Sequence, residues 1–232
     1  MLYYKEYGNK NGKLVIFVHG GFTTSESFMK QYKLLESYRC IFIDLPNHGQ
    51  SICDKNYHYT FDDAAQNVIE LADILAPKQK FILISHSYGG LIVKIIIEKI
   101  PHRIEKIVIG STNIQKTPLF WIYTRKIGCI ILWLQNRKRY YKDNISFKLV
   151  CDAQDDAWKN FNPPKTDNVL TIPTLLLYAQ YDIKEIKESM LLWQQYFTNF
   201  KLLMIEETGH NYFFDCQDRI NPIIVEFIEH SL

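Results

Sequence analysis

The stretch Phe81 to Ile97, FILISHSYGGLIVKIII, constrains the fold of this chain more than any other. A short run that is apolar on both faces has the pattern of a strand buried in a parallel sheet. Here such a run ends in small residues around Ser87 and passes at once into a second apolar run of helical length. Similar short runs occur at Leu14 to Val18, Cys40 to Ile43, Lys80 to Ile84, Ile104 to Ile109, Thr174 to Tyr178 and Lys201 to Ile205. Helix-like stretches separate several of them, at Asp62 to Leu75, Tyr88 to Ile100, Glu185 to Phe197 and Asp218 to His230. Strand and helix in alternation predict an α/β fold with a mostly parallel sheet and helices on both faces. The opening Leu2 to Tyr7 alternates before the turn segment Gly8 to Gly12 and predicts an antiparallel edge strand.

The alternation stops at Ser111 and resumes only after Asp167. That interval holds the bulky apolar segment Leu119 to Leu134, with Arg125 and Lys126 inside it. A helical cap or lid over residues 111–167 is expected, inserted in a single domain spanning residues 1–232. The net charge of +2 excludes a globally basic nucleic-acid binder. It also conceals an asymmetry, since the insertion carries +5 and the remainder −3. Five cysteines, odd in number, scattered and without C-x-x-C, argue against a disulfide framework or a zinc knuckle and fit a reducing compartment. No uncharged run reaches the ~18 residues of a membrane span, and the N-terminus has no basic region followed by an apolar one. The expectation is a cytoplasmic protein with no transmembrane segment.

A serine among small residues between a strand and a helix has the setting of a nucleophile elbow, whose sharp turn lifts the hydroxyl clear of the sheet. In Ser85-His86-Ser87-Tyr88-Gly89 the first glycine of G-x-S-x-G is replaced by Ser85. No lysine follows as a phosphate-binding P-loop requires. With this motif the sequence resembles the α/β-hydrolase superfamily, in its compact bacterial branch of serine esterases and lipase-like enzymes. Four further segments are similar to the family's signatures, in the family's order. They are Val18-His19-Gly20-Gly21-Phe22, Asp44 to Ser51 with Asn47 in a usual glycine slot, Ile172 to Asp182 with Ala179 in another, and Thr208-Gly209-His210-Asn211.

The resemblance implies an α/β-hydrolase fold and a cofactor-free, metal-free reaction with Ser87 as nucleophile, His210 as base and then acid, and Asp182 holding the imidazole. The backbone N–H groups of Gly21 and Tyr88 would form the oxyanion hole. Other residues have other readings. His19 ties loop backbones together, His48 lies on a surface turn, and His86 points elsewhere from the elbow. His58, His102 and His230 have no motif around them. Asp152, Asp155 and Asp156 are the rival acids and Ser85 the rival nucleophile.

Cleavage of a carboxylic ester through an acyl-enzyme is the function expected. A thioesterase, a carbon–carbon bond hydrolase and a hydrolase of acyl-carrier-linked esters are alternatives on the same triad, and a non-catalytic binding module is an alternative of another class. A serine at the elbow argues against epoxide hydrolase chemistry, for which the family uses aspartate. Phe22, Trp121 and Trp133 are expected to line the substrate pocket. Seven basic residues between Ser111 and Lys142, with no acidic one, suggest an acidic acyl carrier protein as partner, or adsorption to a membrane surface. The plainer reading is a cap helix with its apolar face buried and its basic face in water.

Overall fold

The computed structural model describes residues 1–31, 36–54, 57–115, 144–162 and 169–230. Seven strands form one sheet: β1 (Tyr4–Gly8), β2 (Leu14–Val18), β3 (Arg39–Ile43), β4 (Phe81–His86), β5 (Ile104–Gly110), β6 (Thr174–Ala179) and β7 (Phe200–Ile205). They lie in the order β1-β3-β2-β4-β5-β6-β7. Only β1 runs antiparallel, as the edge strand against β3. The other adjacent pairs are parallel. The expected strands appear at their expected places, with boundaries moved by a residue or two.

Strand residues alternate between two cores, because successive side chains leave a strand on opposite faces. Ile16, Val18, Ile41, Leu83 and Ile107 pack on one face. They meet α1 (Phe61–Leu75) and α2 (Tyr88–Lys99), together with Met190 and Trp193 of α4 (Lys184–Trp193). Val15, Phe17, Phe42, Ile84 and Val108 pack on the other, under α5 (Tyr212–Asp215) and α6 (Gln217–Glu229). Helices therefore cover both faces. Thr60 begins α1 by accepting a hydrogen bond from the N–H of Asp63, and Asp62 and Asp63 place negative charge where the helix dipole is positive.

Register decides where the loops emerge. Val18 pairs with Ser85, His86 with Gly110, Gly110 with Leu177, and Ala179 with Ile205. The carboxyl ends of β2, β4, β5, β6 and β7 thus line up along one edge, where open α/β sheets collect their ligands. Between β5 and β6 the chain forms helix α3 (Asn144–Lys159). Trp158 of α3 packs edge-on against Phe61 at the start of α1, with ring centroids 5.6 Å apart. The rest of the expected insertion, residues 116–143 and 163–167, lies outside the described residues. Trp121, Trp133 and the basic cluster from Lys116 to Lys142 lie there too. Among the described residues, no helix is long and apolar enough to cross a membrane.

Candidate active site

Ser87 sits between β4 and α2 with φ 52° and ψ −122°. A non-glycine residue in that region is strained by about 1–3 kcal/mol and persists only where its surroundings hold it. Here the Ser87 N–H donates to the Gly110 carbonyl at 2.7 Å, and the Ser87 carbonyl accepts from Thr112 Oγ1 at 2.9 Å. Gly89 makes the turn possible, since a Cβ there would lie 2.3 Å from the Val18 carbonyl oxygen and 2.6 Å from that of His19. Ser85, at the altered motif position, is fully buried and donates to the Val108 carbonyl at 3.1 Å. It therefore stands inside the strand as a small polar residue with its hydrogen bond made.

The loops after β6 and β7 bring Asp182 and His210 to the same place. His210 Nε2 lies 3.0 Å from Ser87 Oγ, and His210 Nδ1 lies 2.6 Å from Asp182 Oδ1. A carboxylate only accepts, so Nδ1 carries the proton and Nε2 is free to accept that of the serine. Asp182 Oδ2 accepts from Ser111 Oγ at 2.5 Å and from the Ala179 N–H at 2.9 Å. Burial by itself would push the Asp182 carboxyl up. The hydrogen bonds from His210, Ser111 and Ala179, with the nearby imidazole, hold it below the usual carboxylate range. The rival acids are elsewhere, on α3; Asp156 is 3.7 Å from His58 Nδ1.

Three other histidines frame the site, and all are buried. His19 donates from Nδ1 to the Gly20 carbonyl and accepts the Leu45 N–H at Nε2, tying two loops together as expected. His86 points away from the cavity and into the loop of the base. Its Nε2 donates to the His210 carbonyl at 2.8 Å, and the two rings lie 4.7 Å apart. His48 corrects an expectation, being fully buried rather than on the surface. Its Nδ1 is 2.9 Å from the Pro46 carbonyl, because Asn47, in the left-handed region at φ 60°, turns the chain inward there. Burial pushes His19 down to about 4, and His48 and His86 down to about 3.

A cavity of about 270 Å³ opens over Ser87. Gly21 and Tyr88, the two expected oxyanion donors, border it with His210. Phe22, an expected pocket residue, is there too, beside Leu91, Trp158 and Ile186. The polar part of its wall comes from Thr23, Ser111, Asn113, Gln154 and Asn211. Among the described lining residues none is a lysine, arginine, aspartate or glutamate. Nor is any group of three or more His, Cys, Asp or Glu among the described residues placed to hold a metal ion.

Sequence reasoning missed Ser111, which reads as the first residue of the insertion, and Gln154 and Trp158. A signal for the latter two exists, because Val150, Gln154 and Trp158 recur every fourth residue along one helix face. A glutamine in a stripe that also holds Ala153 and Ala157 is out of place unless something polar faces it.

Residues 13–129 match the protein family described as the alpha/beta hydrolase fold. An uncharacterized hydrolase of Bacillus subtilis, YugF, is 37% identical over 92 residues, covering 39% of this chain and 33% of that protein. Epoxide hydrolase 1 of Caenorhabditis elegans is 27% identical over 164 residues, 66% of this chain and 38% of that one. Polyneuridine aldehyde esterase of Rauvolfia serpentina is 29% identical over 104 residues, 44% and 39% of the two chains. The matches thus span about a third to two fifths of these curated relatives. Among solved structures, an esterase from Thermogutta terrifontis superposes with a TM-score of 0.82 at 19% identity, over 98% of this chain and 93% of its own. An enol-lactonase from Burkholderia xenovorans does so with a TM-score of 0.85 at 16% identity, over 99% and 96%. Both share the fold.

Proposed function

The chain belongs to the alpha/beta hydrolase fold family, and we propose that within it this protein is a serine hydrolase that cleaves a carboxylic ester through an acyl-enzyme. The observation that carries the reading is the hydrogen-bonded relay from Ser87 Oγ through the His210 ring to Asp182, at 3.0 and 2.6 Å, with Ser87 and His210 bordering the cavity. His210 takes the serine proton as Oγ bonds to the ester carbonyl carbon. The carbonyl oxygen becomes an oxyanion, met by the N–H groups of Gly21 and Tyr88. When the tetrahedral intermediate collapses, the bond to the leaving alcohol breaks and His210 returns the proton to it. Water then repeats the sequence on the acyl-serine, releasing the acid and restoring Ser87.

Epoxide opening, the activity in one relative's name, fits Ser87 poorly. A serine oxygen attacking an epoxide carbon would leave an ether, which lacks the carbonyl that water attacks in the second half-reaction. An ester leaves an acyl-serine, which water can resolve with the same base.

The test has two arms. A fluorophosphonate probe should label Ser87 in the folded protein, and absence of labelling would favour a non-catalytic binding module. A panel of p-nitrophenyl esters from acetyl to palmitoyl measures the pocket. Ser87→Ala should lower kcat on the preferred ester by a factor on the order of 10⁶. We further propose an acidic acyl carrier as partner and a cytoplasmic location. For the carrier, kcat/KM on a carrier-linked substrate should fall steeply with salt, because exposed charges are screened within about 8 Å at physiological ionic strength.

A further inference from the structure

We propose that the Gln154 carboxamide reads the substrate: its Oε1 accepts a hydrogen bond from a hydroxyl or N–H carried one or two bonds from the scissile carbonyl, so that the preferred acyl group bears a donor next to the ester. The inference rests on Ser87 as nucleophile and on Gly21 as an oxyanion donor, and adds the class of acyl group to that reading.

Gln154 is 2% exposed, yet it borders the cavity together with Ser87, Gly21 and His210. Which end of its amide faces which way follows from His48. The His48 Nδ1 lies against the Pro46 carbonyl, which can only accept, so Nδ1 holds the ring proton. Fully buried, the ring stays neutral, and its Nε2 is left with a lone pair. That lone pair is 3.3 Å from the Gln154 amide nitrogen, and only the NH₂ end can satisfy it. The carbonyl end is thereby turned away from His48, and among the described residues no donor reaches Oε1. Oε1 stands in the wall of the cavity with no protein donor among the described residues, free to pair with a donor that a ligand supplies.

The position of this acceptor selects where that donor must be. A Cβ built on Gly21 would lie 2.5 Å from Gln154 Nε2 and 2.8 Å from Oε1. The carboxamide thus occupies the space that a side chain on residue 21 would fill, directly beside the backbone that faces the oxyanion. A group that reaches Oε1 while the ester carbonyl sits in the oxyanion hole is attached close to that carbonyl. A plain fatty acyl chain has nothing to offer there and leaves the acceptor unpaired. Discrimination of this kind comes from leaving an acceptor of the cavity wall without its donor.

The alternative role is a tether that only holds α3 to the turn at His48, and it makes a different prediction. Methyl 2-hydroxybutyrate, methyl 3-hydroxybutyrate and methyl butyrate should be compared by acid release in a pH-stat, with wild type and Gln154→Met. The expected result is that one hydroxy ester exceeds methyl butyrate in kcat/KM by about tenfold or more in the wild type. That ratio should fall toward one in Gln154→Met. A tether would lower all three esters together and leave the ratio intact. Labelling rates of Ser87 by a reactive propylphosphonate and its 1-hydroxy and 2-hydroxy counterparts give the same ratios without turnover. A ratio near one in the wild type, or an equal ratio in the two proteins, overturns the role of Gln154. Ester turnover that survives Ser87→Ala overturns the parent reading instead.

Discussion

On one side of Ser87 stand His210, Asp182 and Ser111; on the other lie Gly21, Gln154 and Trp158. On the first side the polar atoms find their partners inside the protein. Asp182 alone accepts from an imidazole, a hydroxyl and a backbone N–H, and its side chain is 1% exposed. On the second side the wall mixes aromatic surface with amide groups, and the carbonyl of Gln154 has no donor among the described residues. The difference fits the two roles proposed for the sides. Groups that move a proton need fixed orientation, which complete hydrogen bonding provides. Groups that recognise a substrate must keep capacity unspent until it arrives.

The contrast can be broken by removing a group from each side, and the effects should fall in order. After Ser87→Ala, Asp182→Asn should be the most damaging, with kcat lowered on the order of 10⁴, because an amide can present its NH₂ to Nδ1 and support the wrong tautomer. KM should stay nearly constant; a matching rise in KM would place Asp182 on the recognition side. Ser111→Ala removes one charged hydrogen bond, of the kind worth about 1.5–3 kcal/mol, and should cost roughly tenfold or more in kcat. On the other side, Trp158→Ala should act mainly on KM, severalfold, for esters with long acyl chains, since it strips apolar wall and leaves the relay alone. A loss of kcat alone there would show the two sides to be coupled.

The last effect expected concerns stability against pH and not catalysis, and it follows from the buried groups around the site. His19, His48 and His86 have folded values pushed down to about 4, 3 and 3, below the ordinary 6.5. Below about pH 6.5 the unfolded chain takes up protons that these rings refuse, so their contribution is present above that pH and is lost progressively as the pH falls. Asp182 is also held below its ordinary value of 3.8, so its contribution is lost only on further acidification. The urea midpoint should therefore decline from roughly pH 6.5 downward, and His48→Gln should flatten that decline. A midpoint independent of pH between roughly 4.5 and 6.5 would falsify the account of neutral buried rings.

Much of the site is legible in the sequence, and for local reasons. Ser87 announces itself because an elbow needs small neighbours at fixed offsets, and Gly89 is small because the backbone of β2 passes within contact distance. Asp182 and His210 stand just past apolar strand runs, so their placement follows from the register of a parallel sheet. Ser111 was hidden, because its contact with Asp182 joins residues 71 positions apart and no local pattern marks it. His48 was misread for a related reason. A polar turn reads as surface unless one knows that α3 comes down on it, and Gln154 of α3 is 106 residues distant.

The order of strands and helices and the elbow were thus determined by the sequence alone, through short-range patterning of apolar, small and turn residues, while Ser87, His210 and Asp182 were singled out together by the resemblance of their motifs to a family's. The closing of the Asp182 hydrogen bonds by Ser111, the burial of His48 and the seating of Gln154 against Gly21 were decided only by the tertiary structure. Each of these brings together side chains from loops and helices far apart in the chain, and their meeting depends on how whole layers pack, which no window of neighbouring residues encodes.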